Sequence, residues 1–333
     1  MNRALLEVRN LKTCFRVEGR EVAIADGITF HINRGEVVGL VGESGCGKSV
    51  TALSIMNLVP DPPGKIRSGQ IIFEDEDLLT KSEKQLRKIR GNHISMIFQD
   101  PMTSLNPVQS IGRQISETLE QHQGLNRKQG MDMAQTLLKL VGIPSPKSLV
   151  SEYPHRLSGG MKQRVMIAMA VSCNPKLMIA DEPTTALDVT IQAQILEIMK
   201  ELQKSRGMAI LLITHDLGIV AEIAERVMVM YAGKIVESAP VSRLFANPQH
   251  PYTKGLLSAV PCPDTVGERL RTIKGTIPRS GDHLVGCRFH PRCEYTCEIC
   301  IKHEPFLREV GANSYVSCWQ GIERYPGVGL NRE

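Results

Sequence analysis

The chain predicts an α/β fold with a largely parallel sheet, and three observations carry that expectation. Short apolar runs recur, among them Glu36-Val37-Val38-Gly39-Leu40-Val41, Ile94-Ser95-Met96-Ile97-Phe98, Leu177-Met178-Ile179-Ala180 and Met208-Ala209-Ile210-Leu211-Leu212-Ile213. Each has the length and composition of a buried strand, and stretches of helical periodicity separate them. Beyond each run stands a group suited to phosphate chemistry: a glycine-rich loop, Gln99, the pair Asp181 and Glu182, and His215. Parallel strands gather such ends on one edge, where α/β proteins bind ligands.

The strongest element is the first. Gly42-Glu43-Ser44-Gly45-Cys46-Gly47-Lys48-Ser49 fits the spacing G-x-x-x-x-G-K-[ST] of a phosphate-binding loop. It follows a strand and precedes Val50-Thr51-Ala52-Leu53-Ser54-Ile55-Met56-Asn57-Leu58-Val59, apolar enough for a buried helix. Glycines let successive N–H groups from residues 42–50 close on phosphate oxygens, and the helix dipole adds to their pull. Lys48 suits the β- and γ-phosphates, and the Ser49 hydroxyl suits Mg2+.

Composition bounds the rest. The 333 residues suffice for one large or two smaller domains, with 42% hydrophobic and 23% charged residues, ordinary for a globular protein. Aromatics make up 4%, so the core is aliphatic and methionine-rich. A net charge of +5 gives no argument for nucleic acid and is compatible with an anionic ligand. No run reaches membrane-span length, and Met1-Asn2-Arg3-Ala4 lacks a signal peptide's apolar core, so the expectation is a cytoplasmic protein that meets a membrane through a partner.

Along the chain, residues 5–32 alternate as antiparallel edge strands, with Phe15 in a first loop where it would stack on a purine or fill a hairpin core. Residues 70–74 return to strand, 82–90 are helical, and Gln99 ends a strand before a turn-rich stretch. Residues 111–121 and 128–141 read as helices joined by a Gly-Asn connector, the start of an inserted helical subdomain. Leu157-Ser158-Gly159-Gly160-Met161 puts an N-cap serine and exposed amides before an apolar helix at 165–171, a second anion-binding helix end. Asp181 suits Mg2+, Glu182 suits orienting a water, and Ala186-Leu187-Asp188 opens a helix over 190–204.

These residues together resemble the ATP-binding subunits of ABC transporters over roughly residues 3–260. Gly42 to Ser49 is similar to Walker A, Gln99 to the Q-loop, Leu157-Ser158-Gly159-Gly160-Met161 to the signature motif, Leu177 to Glu182 to Walker B with its catalytic glutamate, Asp188 to the D-loop and His215 to the switch histidine. Phe15 falls where the family stacks adenine. Phe98-Gln99-Asp100-Pro101-Met102-Thr103-Ser104-Leu105-Asn106-Pro107 and Asn247-Pro248-Gln249-His250-Pro251-Tyr252-Thr253 resemble the oligopeptide/dipeptide/nickel importer subfamily, and so does the tail at Gly286-Cys287-Arg288-Phe289-His290-Pro291-Arg292-Cys293. Arg156 departs from the Glu or Gln common there.

The resemblance implies a P-loop ABC ATPase: a RecA-like core, an antiparallel β subdomain and an inserted helical subdomain at about 108–173, all within residues 1–260. Residues 261–333 form a Cys-rich extension. It implies ATP and Mg2+ as cofactors, with Ser49, Gln99 and Asp181 at the metal, Lys48, Glu182 and His215 catalytic, and Ser158, Gly159, Gly160 and Asp188 at nucleotide across a head-to-tail pair. Implied partners are two permease subunits, a second related ATPase and, indirectly, an extracytoplasmic binding protein, at the cytoplasmic face of the membrane, with no nucleic acid. The implied function is ATP-driven peptide import; a nickel importer, or a soluble iron–sulfur ABC ATPase acting on nucleic acid or ribosomes, is the alternative.

Of the nine cysteines, Cys14, Cys46, Cys173 and Cys262 are scattered and five crowd the last fifth of the chain. Cys287-x5-Cys293-x6-Cys300-x17-Cys318 offers four thiolates, with Cys297 spare and Cys262 upstream. Structural zinc usually takes ligand pairs two to four residues apart, a spacing that none of these four has and that only pairs with Cys297 satisfy. The wider spacing favours a [4Fe-4S] cluster, as the resemblance also implies; zinc is the alternative, and a redox-regulatory role stays open beside a structural one.

Overall fold

The computed structural model describes residues 4–100, 104–185, 187–259, 273–276, 278 and 285–320. Pro101, Met102, Thr103, Ala186, Cys262 and the expected boundary at residue 260 lie outside the described residues.

In chain order the strands are β1 (Leu6–Val17), β2 (Arg20–Ile32), β3 (Val37–Val41), β4 (Gly64–Phe73), β5 (Glu76–Asp77), β6 (Ile94–Ile97), β7 (Leu177–Asp181), β8 (Ala209–Thr214), β9 (Arg226–Tyr231), β10 (Lys234–Pro240), β11 (Arg308–Gly311) and β12 (Ser314–Val316). The helices are α1 (Lys48–Ile55), α2 (Glu83–Ile89), α3 (Ile111–Gln123), α4 (Arg127–Leu140), α5 (Pro146–Leu149), α6 (Gly159–Ala170), α7 (Val189–Arg206), α8 (Leu217–Ile223), α9 (Val241–Ala246), α10 (Pro251–Ser258) and α11 (Glu298–Lys302). The chain divides into two compact units, one of Met1–Glu7, His31–Val37 and Ile72–Ile213, the other of Val8–Phe30, Val38–Ile71 and Thr214–Glu333.

In the first unit β7 lies between β6 and β8, parallel to both. Every residue of β7 and β8 is buried, as expected of strands covered on both faces. Gly124 ends α3 in a left-handed turn, and Asn126 opens α4 with a capping box shared with Gln129. The two helices pack closely: a Cβ on Gly130 would sit 2.9 Å from the Ser116 Cβ. Arg164 of α6 donates to the Val141 carbonyl at the end of α4 (2.6 Å). The helix expected at 165–171 begins earlier, at Gly159, because Ser158 caps it there and its glycines occupy the first turn, where side chains contribute least.

In the second unit β1 and β2 form a hairpin through Glu18 and Gly19, both at positive φ. Phe15 lies within β1, not in a loop. β9 pairs parallel with β3, turns at Ala232 and Gly233, and pairs antiparallel with β10; β12 then pairs with β10, and β11 with β12. Helix α1 stops at Ile55, short of the expected residue 59, with Asn57 in the left-handed region. Among the described residues no helix is long and apolar enough to cross a membrane.

Candidate functional site

The loop between β3 and α1 is built from main chain. Gly42, Gly45 and Gly47 have φ of 156°, 81° and 109°, values that favour glycine. A Cβ on Gly42 would lie 2.2 Å from the Met230 carbonyl oxygen, and one on Gly47 would lie 2.5 Å from that of Ile24. Lys48, 5% exposed, reaches back across the loop, its Nζ donating to the carbonyls of Gly42 (2.7 Å) and Glu43 (3.0 Å). No side chain caps α1 at Gly47, so its leading amides follow the glycine turn directly. Ser44 and Gly45 are exposed, Ser49 and Val50 half-buried. Burial pushes the Cys46 thiol up, keeping it neutral and unreactive.

Phe15 is half-buried, and its ring packs on Gly64, where a Cβ would come within 2.8 Å of the ring's Cζ. His215 is exposed immediately after β8; Asp216 beside it caps α8 by accepting from the amides of Gly218 and Ile219.

The first unit assembles the acidic part. Asp181, the last residue of β7, is 3% exposed. Glu182 follows at φ 48°, an unfavourable backbone for a side chain of its size. Its amide donates to the Ile213 carbonyl (2.8 Å), which anchors the turn on β8. Its carboxylate accepts from Gln99 Nε2 (3.1 Å) and Thr185 Oγ1 (2.9 Å). Two residues that stand apart in the sequence thus touch, and Thr185, which no motif marks, steadies the same oxygen.

Two further helix starts meet in this unit. Ser158 Oγ accepts from the Met161 amide (3.3 Å) at the head of α6, and Asp188 accepts from the Ile191 amide (3.0 Å) at the head of α7. A Cβ on Gly160 would sit 2.8 Å from Ile191 Cγ2 and one on Gly159 3.6 Å from the Leu187 side chain. Glycine at position 160 therefore lets the two helix heads close on each other, while a side chain at 159 would meet only ordinary contact distance.

In the second unit Cys287, Cys293, Cys300 and Cys318 line one cavity, together with His250, Phe289 and Trp319. Cys297 is exposed and lies outside it, its sulfur 3.4 Å from that of Cys300. Burial pushes Cys287 up to about 12, so without a cation beside it this thiol stays protonated at neutral pH. Among the described residues no group of three or more His, Cys, Asp or Glu is arranged around a single metal ion. Four thiols lining one cavity are the donor type that either an iron–sulfur cluster or a zinc ion takes.

Sequence reasoning missed what holds Glu43. Its amide donates to Tyr252 Oη (2.9 Å), and its carboxylate pairs with Arg292 (3.0 Å). These partners lie 209 and 249 residues away, and nothing in the local pattern marks them.

Residues 25–185 match the ABC transporter family model, and residues 236–300 match the oligopeptide/dipeptide transporter C-terminal region. The oligopeptide transport ATP-binding protein AppD of Bacillus subtilis is 54% identical, over 95% of this chain and 96% of that protein. The dipeptide transport ATP-binding protein DppD of Haemophilus influenzae is 50% identical, over 95% of each. Among solved structures, the dimeric ATP-binding cassette MJ0796 bound to ADP and Pi has a TM-score of 0.64 and 25% identity, over 71% of this chain and 98% of that one. The structure of cbiO1 from Clostridium perfringens, part of the ABC transporter complex cbiONQ, has a TM-score of 0.61 and 30% identity, over 73% and 91%. With the glycine loop, the acidic strand end and the capped glycine helix all in place, the chain belongs to the ABC transporters, as one of their ATP-hydrolysing, ATP-binding subunits.

Proposed function

We propose that this chain energises import of di- or oligopeptides as one of two ATPase subunits bound to a pair of permease subunits at the cytoplasmic face of the membrane. The observation that carries the reading is likeness to peptide-transport ATP-binding proteins along 95% of the chain, with the transporter-specific C-terminal region included. A binding protein outside the membrane would select cargo; the second ATPase would be a related chain.

In this reading the amides of residues 42–50 and Lys48 take the phosphates, and Phe15 stacks the adenine. Ser49, Asp181 and Gln99 would hold Mg2+, which would supply charge neutralisation at the γ-phosphate. Glu182, steadied by Gln99 and Thr185, orients and polarises the attacking water; His215 contacts the γ-phosphate. Ser158, Gly159 and Gly160, with Asp188 beside them, serve the nucleotide of the second ATPase. Cys287, Cys293, Cys300 and Cys318 would hold a [4Fe-4S] cluster, whose bonds would fasten together an extension with little apolar core. The domain division follows: a cassette over about 1–260 and a cysteine-rich extension beyond it.

Glu182→Gln tests the chemistry. ATP binding is expected to persist while turnover falls by about 100-fold or more; normal steady-state hydrolysis would sink the assignment. Uptake of labelled dipeptide, oligopeptide and nickel by cells lacking the gene decides the cargo, and nickel uptake alone would overturn the peptide reading.

A further inference from the structure

The stretch from Cys287 to Cys293 does more than supply sulfur. Arg292, within it, has its side chain 6% exposed and its Nη1 on Glu43 Oε2 at 3.0 Å. Three contacts hold the guanidinium in place: Nε donates to the Lys274 carbonyl (3.0 Å), Nη1 reaches the Tyr231 hydroxyl (3.4 Å), and the group stands 5.7 Å from the Tyr231 ring centre. Phe289 packs edge-on to Tyr231 at 5.1 Å and against Tyr252 at 5.4 Å, and Tyr252 receives the Glu43 amide. Arg288 takes a second route. It donates to the Ala232 carbonyl and pairs with Asp26, while the next amide, Gly233, donates to the Cys46 carbonyl at 2.8 Å. The phosphate loop is braced at residue 43 and again at residue 46.

Glu43 places a carboxylate within the loop that must receive a polyanion. Neutralised and fixed by a buried guanidinium, it costs the loop little; left alone, it repels phosphate and frees the turn. We propose that Arg292 is a positioning residue of the ATPase reaction, holding and neutralising Glu43 so that the cysteine-bearing segment sets the loop's affinity for nucleotide. The inference rests on the reading of residues 42–49 as the phosphate loop.

The test measures affinity for a fluorescent ATP analogue, and KM and kcat for ATP, on the full chain purified without oxygen. Arg292→Ala is expected to weaken nucleotide binding about five- to tenfold, tenfold being about 1.4 kcal/mol, and to raise KM with little change in kcat. Arg292→Lys should recover part of the loss, since charge returns without the fork. In a Glu43→Gln background the effect of Arg292→Ala should largely vanish. Unchanged affinity in Arg292→Ala, or the same loss in both backgrounds, would overturn the proposal. Should Arg292→Ala fail to fold, Arg292→Lys compared in the two backgrounds decides the matter by the same criterion. Lys48→Ala separates the two levels: if it leaves affinity intact, the phosphate-loop reading fails and takes this inference with it. If Lys48→Ala abolishes binding and Arg292→Ala does nothing, the inference alone fails.

Discussion

The phosphate loop and the cysteine cavity lie in the same compact unit and are made in opposite ways. The loop is a main-chain object: its recognition groups are amides, and its demands on side chains are mostly that they be missing, at Gly42 and Gly47 above all. The cavity is a side-chain object, with four sulfurs drawn from residues 287 to 318 and converging through the turn around Phe289, α11 and the end of β12. A main-chain site can be written in eight consecutive letters. A side-chain site is spread along the chain and depends on what it holds.

If that contrast is right, the largest effect belongs to Gly47→Ala. The new Cβ would strike the Ile24 carbonyl from a backbone conformation alanine resists, so nucleotide binding and hydrolysis should fall by about 100-fold or more, with strain of about 1–3 kcal/mol showing in the melting temperature. Near-normal hydrolysis would show that the loop is not as tightly shaped as described. Cys293→Ser comes next. If the proposed cluster is bound, iron should drop from about four per chain toward zero and the melting temperature by several degrees, while hydrolysis at saturating ATP stays measurable; a wild-type chain without iron would remove the cluster, and full iron content in the variant would remove Cys293 from the donor set. Ser158→Ala deletes one cap and should cost about 1 kcal/mol in thermal stability, a loss that a wild-type melting curve would contradict. Ser44→Ala is the smallest. Ser44 is exposed, and if amides do the binding, KM for ATP should move less than about twofold; a tenfold rise would mean that side chains recognise phosphate there after all.

The same contrast explains what the sequence makes legible. The central strands and the groups at their ends are readable because buried parallel strands are continuous apolar runs and each functional group follows one directly, as with Asp181 after Met178-Ile179-Ala180. The caps of α6 and α7 are readable because capping is local. Phe15 sits in a strand and not in the expected loop because the hairpin's turn, Glu18 and Gly19, falls later than the polar residues around Phe15 suggest. β9 escapes a motif-led reading although Val227 to Tyr231 are fully buried, since no functional group stands at its end to draw attention to it. The bond between Gln99 and Glu182 and the pairing of Glu43 with Arg292 are tertiary facts, invisible to any window short of the whole fold.

The pairing of β12 with β10 reaches beyond chemistry. Glu237 and Ser238 face Val316 and Tyr315 across an antiparallel ladder, the Ser317 amide donates to the Val236 carbonyl, and Arg243 of α9 reaches the Val310 carbonyl of β11. A nascent chain therefore carries β10 with one ladder open until residues 314–316 have left the ribosome, a delay of several seconds at ordinary synthesis rates. An open edge invites pairing with another chain. A shortened protein stopped near residue 260 would keep its complete ATP motifs yet expose that edge for good, and should self-associate on gel filtration in proportion to concentration.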